Sequence, residues 1–307
     1  MFKVLITGGS GLLAINWACF ARDKCEVILA LHKKNVVLKG VKSTFINLES
    51  REDIFQDLNR IKPDVVVHAA GLTNVNECQK NPKLAYHVNC ELSSNVAYAC
   101  TKAGVKLVYI STDHLFSGLI PLCCEDSSTQ PVNIYAESKL RAESELSLLN
   151  PEALIIRTNF FGWGHQFRES FSDWIYNNIS NKKEITLFDD VYFTPILIDS
   201  LASYVHELLA LNVSGTFNVA SDERISKYAF GLLLCDKFGL SNHLITRGNI
   251  SSIKLLAPRP NDMSLSNKKL KQTLDVDSVS VSNQLDLLKL QLEMGRPLEI
   301  QKAIKGV

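Results

Sequence analysis

The sequence predicts an α/β protein: a doubly wound parallel sheet, with a smaller C-terminal lobe interleaved with it. Three observations lead there. Short, wholly apolar runs alternate with helical patterns through the first half of the chain. A glycine-rich turn separates the first of those runs from the first helix. After about residue 158 the strict alternation loosens.

Residues 2–6, 27–31, 44–47, 65–68, 107–111 and 153–157 are runs of apolar, often β-branched residues. A strand covered on both faces needs that composition, so each is expected to be a buried strand. Helical patterns fill the gaps at 11–22, 51–60, 81–102 and 134–148, and Pro82 suits a first helical turn. Further on, helices are expected near 168–180, 198–210, 226–238 and 283–294, and strands at 185–188 and 216–219. On the last of these helices Leu285, Leu288 and Leu292, with Leu287 and Leu290 nearby, form an apolar face expected to pack into the core. Ala257-Pro258-Arg259-Pro260 reads as a rigid, exposed turn. Residues 1–157 are assigned to a nucleotide-binding core and 158–307 mainly to a substrate lobe, the two sharing one cleft.

Composition narrows the class. The 307 residues carry 33 Lys+Arg against 32 Asp+Glu, a net charge of +1, with 46% hydrophobic residues. That is enough to bury a sizeable core and too balanced to select nucleic acid or an anionic membrane as the main partner. No apolar stretch reaches about 18 residues, the length of a membrane span. The apolar start is too short for a secretory signal, and the eight cysteines show no C-x-x-C spacing. A cytoplasmic protein with free thiols is expected. His32, His68 and His114 fall at strand ends, but no cysteine or carboxylate stands at ligand spacing from them, so no metal is expected.

Thr7-Gly8-Gly9-Ser10-Gly11-Leu12-Leu13-Ala14 follows the first strand and opens a helix, the pattern G-x-x-G-x-x-A counted from Gly8. Gly8 permits the tight turn. Gly11 lets backbone approach a pyrophosphate at a helix N-terminus, and Ala14 stands where a third glycine keeps helix and strand close. A Rossmann-type dinucleotide site is expected here. The second strand ends in His32-Lys33-Lys34 and not in the carboxylate that would bind a free ribose 2′-hydroxyl. Those cations suit a 2′-phosphate, so NADP(H) is preferred and NAD(H) remains possible; an ordinary solvated basic turn is the alternative.

Tyr135-Ala136-Glu137-Ser138-Lys139 sets a phenol and an ammonium four residues apart on one helix face. A neighbouring ammonium favours the phenolate and is expected to lower the tyrosine pKa. Tyr98-Ala99-Cys100-Thr101-Lys102 repeats the spacing, so position must choose. Chemistry on an open α/β sheet collects at the carboxyl ends of strands. Tyr135 follows the strand that ends in Ser111-Thr112-Asp113, whereas Tyr98 precedes it. Thr112, Tyr135 and Lys139 are the candidate catalytic set.

Taken together, Gly8-x-x-Gly11, Thr112 and Tyr135-x-x-x-Lys139 resemble the extended short-chain dehydrogenase/reductases, and most nearly the dTDP-4-dehydrorhamnose reductases. Ser111-Thr112-Asp113-His114-Leu115-Phe116-Ser117-Gly118 is similar to that family's STDYVFDG-like segment. The segments at 68–73, 189–195 and 258–260 match in order along nearly the whole chain. The resemblance implies a reductase that takes hydride from a nicotinamide cofactor to the C4 keto group of a nucleotide-linked 6-deoxysugar, in deoxysugar and surface-polysaccharide synthesis. It implies that Tyr135 donates a proton, that Lys139 supports Tyr135 and holds the nicotinamide ribose, and that Thr112 binds the keto oxygen. Gly8, Ser10, Gly11, Leu12 and Leu13 would hold the pyrophosphate, with His32 and Lys33 beside the ribose and Asn47 and Leu48 flanking the adenine. Ala69, Ala70 and Gly71 would run under the cofactor. Thr73, Val75, Asp113 and Phe160 would face the sugar. Separately from the resemblance, the guanidinium fork of Arg259 suits the oxygens of a nucleotide phosphate, an exposed turn arginine being the alternative.

This chain departs from the family pattern at His114, in place of a tyrosine, and at Phe160, in place of a tryptophan. Part of the sugar pocket is therefore altered. Two rival functions stay open: an epimerase with tightly bound NAD, which the basic end of the second strand disfavours, and a non-catalytic NADP-binding subunit such as the regulatory β subunit of methionine adenosyltransferase. A homodimer is possible.

Overall fold

The computed structural model describes residues 1–305. Seven strands form the central sheet: β1 (Lys3–Thr7), β2 (Glu26–Leu31), β3 (Lys42–Phe45), β4 (Val65–His68), β5 (Lys106–Ile110), β6 (Leu154–Arg157) and β7 (Gly215–Asn218). They lie in the order β3-β2-β1-β4-β5-β6-β7, every neighbour parallel. Order reverses between β1 and β4, and the crevice of a doubly wound sheet opens at such a reversal. Five of the apolar runs occupy the sheet as their composition requires, with both faces covered; the third strand, Lys42–Phe45, is instead a mostly exposed edge strand, so it is not the buried strand its sequence suggested. Val4 and Ile6 point into one core cluster and Leu5 into the other, as the two-residue period of a strand dictates.

On the first face, α1 (Leu12–Ala21) packs beside α8 (Ile198–Ala210); on the second lie α2 (Arg51–Ile61), α5 (Leu92–Ala103) and α6 (Ile134–Leu149). Two short helices, α3 (Val75–Lys80) and α4 (Pro82–Tyr86), follow β4. The third strand lies earlier than the sequence predicts, because Asn47 belongs to the turn beyond it. Its side chain accepts from Glu49 N–H at 3.1 Å, a local bond that competes with strand pairing. The helix expected over 81–102 is interrupted by one π-type turn, His87–Glu91, which separates α4 from α5.

The second half of the chain also enters the main sheet. β7 pairs with β6 from Gly215 opposite Leu154 to Asn218 opposite Arg157. The remainder forms a lobe around α7 (Phe171–Ser180), α9 (Lys227–Phe238), α10 (Lys268–Leu274), α11 (Val281–Glu293) and α12 (Arg296–Ala303). Phe230 lies at its centre, 5.3 Å from the ring of Phe161 and 5.5 Å from that of Phe193, both edge-on. On α11, Leu285 and Leu288 are buried, while Leu287 and Leu290 face outward. The segment 257–260 is only partly exposed: Pro258 faces solvent, but Ala257 and Pro260 are buried, and Asn133 donates to the Pro258 carbonyl at 3.0 Å. The turn is docked against the start of α6.

One buried ion pair ties α6 to the sheet. Arg157, at the end of β6, meets both carboxylate oxygens of Glu143, the shortest contact being 2.7 Å, and its Nη1 donates to the Glu125 carbonyl at 2.9 Å. Removing one member leaves a buried charge without compensation. Glu143→Ala is expected to cost about 3–5 kcal/mol of unfolding free energy, measured by denaturant titration.

Candidate active site

The cleft begins at the glycine turn. Gly8 has φ +67, and a Cβ there would lie 2.9 Å from the Ala70 backbone. Gly11 N–H closes the turn on the Gly8 carbonyl at 2.7 Å, and Gly9 N–H donates to Ala30 at 2.9 Å. Gly11 then caps α1 without a side-chain hydrogen bond, and no acidic residue stands in the first helical turn. The free N–H groups of that turn face a cleft of about 690 Å³. This arrangement fits an anionic diphosphate, with the chain from Ala69 to Thr73 forming the opposite wall.

At the far end, Thr112, Asp113, Tyr135, Lys139, Thr158 and Phe160 line the same cleft. Asn133 caps α6 by accepting from Ala136 N–H at 2.9 Å while its amide holds the Pro258 carbonyl, which sets the height of Tyr135 above the sheet. Lys139 donates to the Ile110 carbonyl at 2.7 Å, tying α6 to the end of β5. Asp113 is buried; it accepts from Asn159 at 2.5 Å and from Thr112 at 3.3 Å. The hydroxyls of Ser111 and Thr158, two residues of the cleft wall, are buried without hydrogen-bond partners.

The electrostatics differ from the expectation of a lowered tyrosine pKa. Burial pushes the Tyr135 phenol up to about 12, with the Thr112 hydrogen bond opposing and Asp113 adding to the rise. Burial also brings the Lys139 ammonium down to about 7, with Glu143 opposing. Desolvation outweighs the helix-face pairing because both groups lie deep in the wall. Tyr135 therefore holds its proton, as a donor must. His114 stands edge-on to Tyr135 at 5.6 Å between centroids, and burial lowers its pKa.

The structure brings together Gly8, Ser10, Gly11, Leu12, Leu13, Ala69, Ala70, Gly71, Thr73, Val75, Thr112, Asp113, Tyr135, Lys139 and Phe160 in one cleft. Five expected residues lie outside its lining. His32 and Lys33 are exposed on the turn after β2, and the cation that reaches the cleft is Lys34. Asn47 is held by its own turn, Leu48 packs against the second core cluster, and Arg259 donates to Asn76 at 3.2 Å. Tyr98, the rival tyrosine, lies on α5 with its ring 5.2 Å from Arg51, away from the cleft. Residues with no motif to announce them also line the site: Asn89, Asn159, His165, Phe167 and Arg168. Asn89 sits in the π-type turn, accepts from Leu72 N–H at 2.7 Å and donates to Ser138 at 3.0 Å. It thereby clamps the β4 loop to the helix that carries Tyr135 and Lys139.

The model of the RmlD substrate binding domain family matches residues 2–291, nearly the whole chain. The chain belongs to this family. It is 26% identical over 289 residues to a probable low-salt glycan biosynthesis reductase of Haloferax volcanii, covering 92% of this chain and 96% of that protein. It is also 26% identical over 293 residues to methionine adenosyltransferase 2 subunit beta of Rattus norvegicus, covering 89% and 83%. Among solved structures, a dTDP-4-dehydrorhamnose reductase of Bacillus anthracis in complex with NADP superposes with a TM-score of 0.81 at 23% identity, over 95% of this chain and 100% of that one. The fold is thus that of the extended short-chain dehydrogenase/reductases, and within this RmlD-type chain Thr112, Tyr135 and Lys139 occupy the carboxyl-end position that the doubly wound sheet reserves for chemistry.

Two measurements probe this geometry. Gly8→Ala forces a side chain against the Ala70 backbone at a positive φ and is expected to cost about 1–3 kcal/mol of stability, read by thermal or denaturant unfolding. Lys139 titrates near 7 when folded and near its ordinary value of about 10.4 when unfolded. Between those values the unfolded chain binds the additional proton, so this residue makes stability rise with pH, by up to about 1.4 kcal/mol per pH unit. The difference in pH-dependent stability between wild type and Lys139→Met is expected to show that rise from pH 7 to 10; a flat difference counts against a desolvated ammonium.

Proposed function

We propose that this protein is an NADP(H)-dependent oxidoreductase that reduces the C4 keto group of a nucleotide-linked 4-keto-6-deoxysugar, in polysaccharide biosynthesis. The observation that carries the reading is the convergence of Thr112, Tyr135 and Lys139 at the carboxyl end of β5, in the same cleft as the glycine turn. The glycan-reductase relative from Haloferax volcanii supports the reaction class. Lys34, on the β2 side of the cleft, supports a 2′-phosphate on the cofactor, since the acidic lining residues Glu77 and Asp113 follow β4 and β5 instead.

The nicotinamide supplies the hydride. Thr112 donates its hydroxyl hydrogen to the keto oxygen, where negative charge develops. Tyr135, kept protonated by burial, delivers its proton to that oxygen and becomes phenolate. Lys139, one helical turn along and anchored on the Ile110 carbonyl, favours that phenolate in its protonated form, which burial leaves only partly populated near neutral pH. Phe160 and His114 shape the apolar and aromatic wall against which the sugar rests.

The rat relative is a subunit of an adenosyltransferase, so a regulatory role is the competing reading. The retained Thr112, Tyr135 and Lys139 set favours catalysis. With NADPH and a panel of nucleotide 4-keto-6-deoxysugars, wild type is expected to consume the nicotinamide absorbance. Tyr135→Phe should lower kcat by about 10²–10⁴-fold and Thr112→Val by about 10²-fold, both with NADPH affinity preserved. A Tyr135→Phe variant as fast as wild type overturns the assignment. NADPH binding without turnover of any panel member favours the regulatory reading.

A further inference from the structure

The loop between β6 and α7 supplies a feature that neither the motifs nor the mechanism uses. Residues 165–168 fold into a tight turn: His165 N–H donates to the Arg168 carbonyl and Arg168 N–H to the His165 carbonyl, each at 2.9 Å. Phe167 N–H donates to His165 Nδ1 at 3.2 Å, which stiffens the tip. The turn is attached on both sides of the cleft. Its Phe167 ring receives the Lys34 ammonium 3.4 Å from the centroid, on the β2 side. Its Arg168 Nη2 donates to Thr73 Oγ1 at 2.7 Å, on the β4 side. Between these attachments His165 lies against the backbone of Ser10 in the glycine turn.

Arg168 is chemically incomplete in this position. A guanidinium has five N–H donors in a planar fork, and among the described residues no carboxylate forms an ion pair with it. The adjacent Glu169 is turned away and accepts from Asn177 at 2.9 Å. Arg168 is solvent-exposed as a residue, yet it lines the cleft together with Ser10, Leu12, Lys34 and Tyr135. Its charge is felt at the Tyr135 phenol. A planar fork that lines the same cleft as the free amides of a helix N-terminus matches the paired oxygens of a diphosphate.

We propose that the 165–168 turn is a strap across the cleft and that its Arg168 guanidinium binds a ligand diphosphate, exchanging the Thr73 hydroxyl for phosphate oxygens. The inference rests on reading the cleft as a site for a dinucleotide and a nucleotide sugar, both of which carry a diphosphate. Calorimetric titration of full-length wild type, Arg168→Ala and Arg168→Lys with NADPH, and with dTDP and UDP in the presence of NADP, separates the two sources. Arg168→Ala is expected to weaken one diphosphate class by at least about tenfold at unchanged thermal midpoint, since the residue is exposed. Arg168→Lys should recover part of the loss, because a point charge cannot form the fork. A loss with NADPH assigns the strap to the cofactor; a loss confined to dTDP or UDP assigns it to the substrate. Affinities of Arg168→Ala within twofold of wild type for all three ligands overturn the proposal, as does wild-type protein that binds none of them. Binding is read without turnover, so failure to reduce any keto-sugar sinks the reductase reading alone.

Discussion

The backbone of Gly8 lies against that of Ala70 with no space for a side chain between them, and the cleft is built on that approach. β1 and β4 are hydrogen-bonded neighbours, but the chains leaving them turn in opposite directions, one into α1 and the other toward α3. The cleft opens between these two exits at the carboxyl edge of the sheet. A bulkier residue at position 8 would lift the turn away from Ala70 and carry with it the free amides at the start of α1. The glycine turn is thus both a backbone requirement and the floor of a site.

Everything chemical sits at a defined distance from that floor because α6 is pinned three times. Lys139 holds the Ile110 carbonyl, Ser138 meets Asn89 from the π-type turn, and Glu143 is locked to Arg157 at the end of β6. These contacts come from three neighbouring strands or their loops, so the helix cannot slide along the sheet without breaking buried polar bonds. Desolvation then governs the titration of its two key residues. The wall that positions Tyr135 also keeps its phenol protonated, and the same burial draws the Lys139 ammonium toward neutrality. A tyrosine in such a wall is organised to give a proton rather than to take one.

The two departures from the family pattern, His114 and Phe160, both lie in the wall of the cleft. His114 packs edge-on to the catalytic ring and Phe160 lines the wall nearby, while the Thr112, Tyr135 and Lys139 set is intact.

Much of this was legible in the residues alone. A strand buried on both faces must be apolar, so five strands of the sheet announce themselves, and the Gly8 turn with its positive φ suits glycine. Local chemistry of that kind is written in local sequence. The choice between Tyr98 and Tyr135 was also accessible, because order along the chain determines which helix follows which strand. What tertiary structure decided is everything that depends on distant segments meeting. It enlisted β7 from the second half of the chain into the sheet, and it placed Lys34 rather than His32 or Lys33 at the cleft. It docked the proline turn at 257–260 through Ala257 and Pro260 and reversed the expected shift of the Tyr135 pKa. It brought Asn89, His165 and Arg168 to the cleft from positions that carry no motif. Burial and contact between remote residues have no period or spacing in a sequence, and only the folded chain sets them.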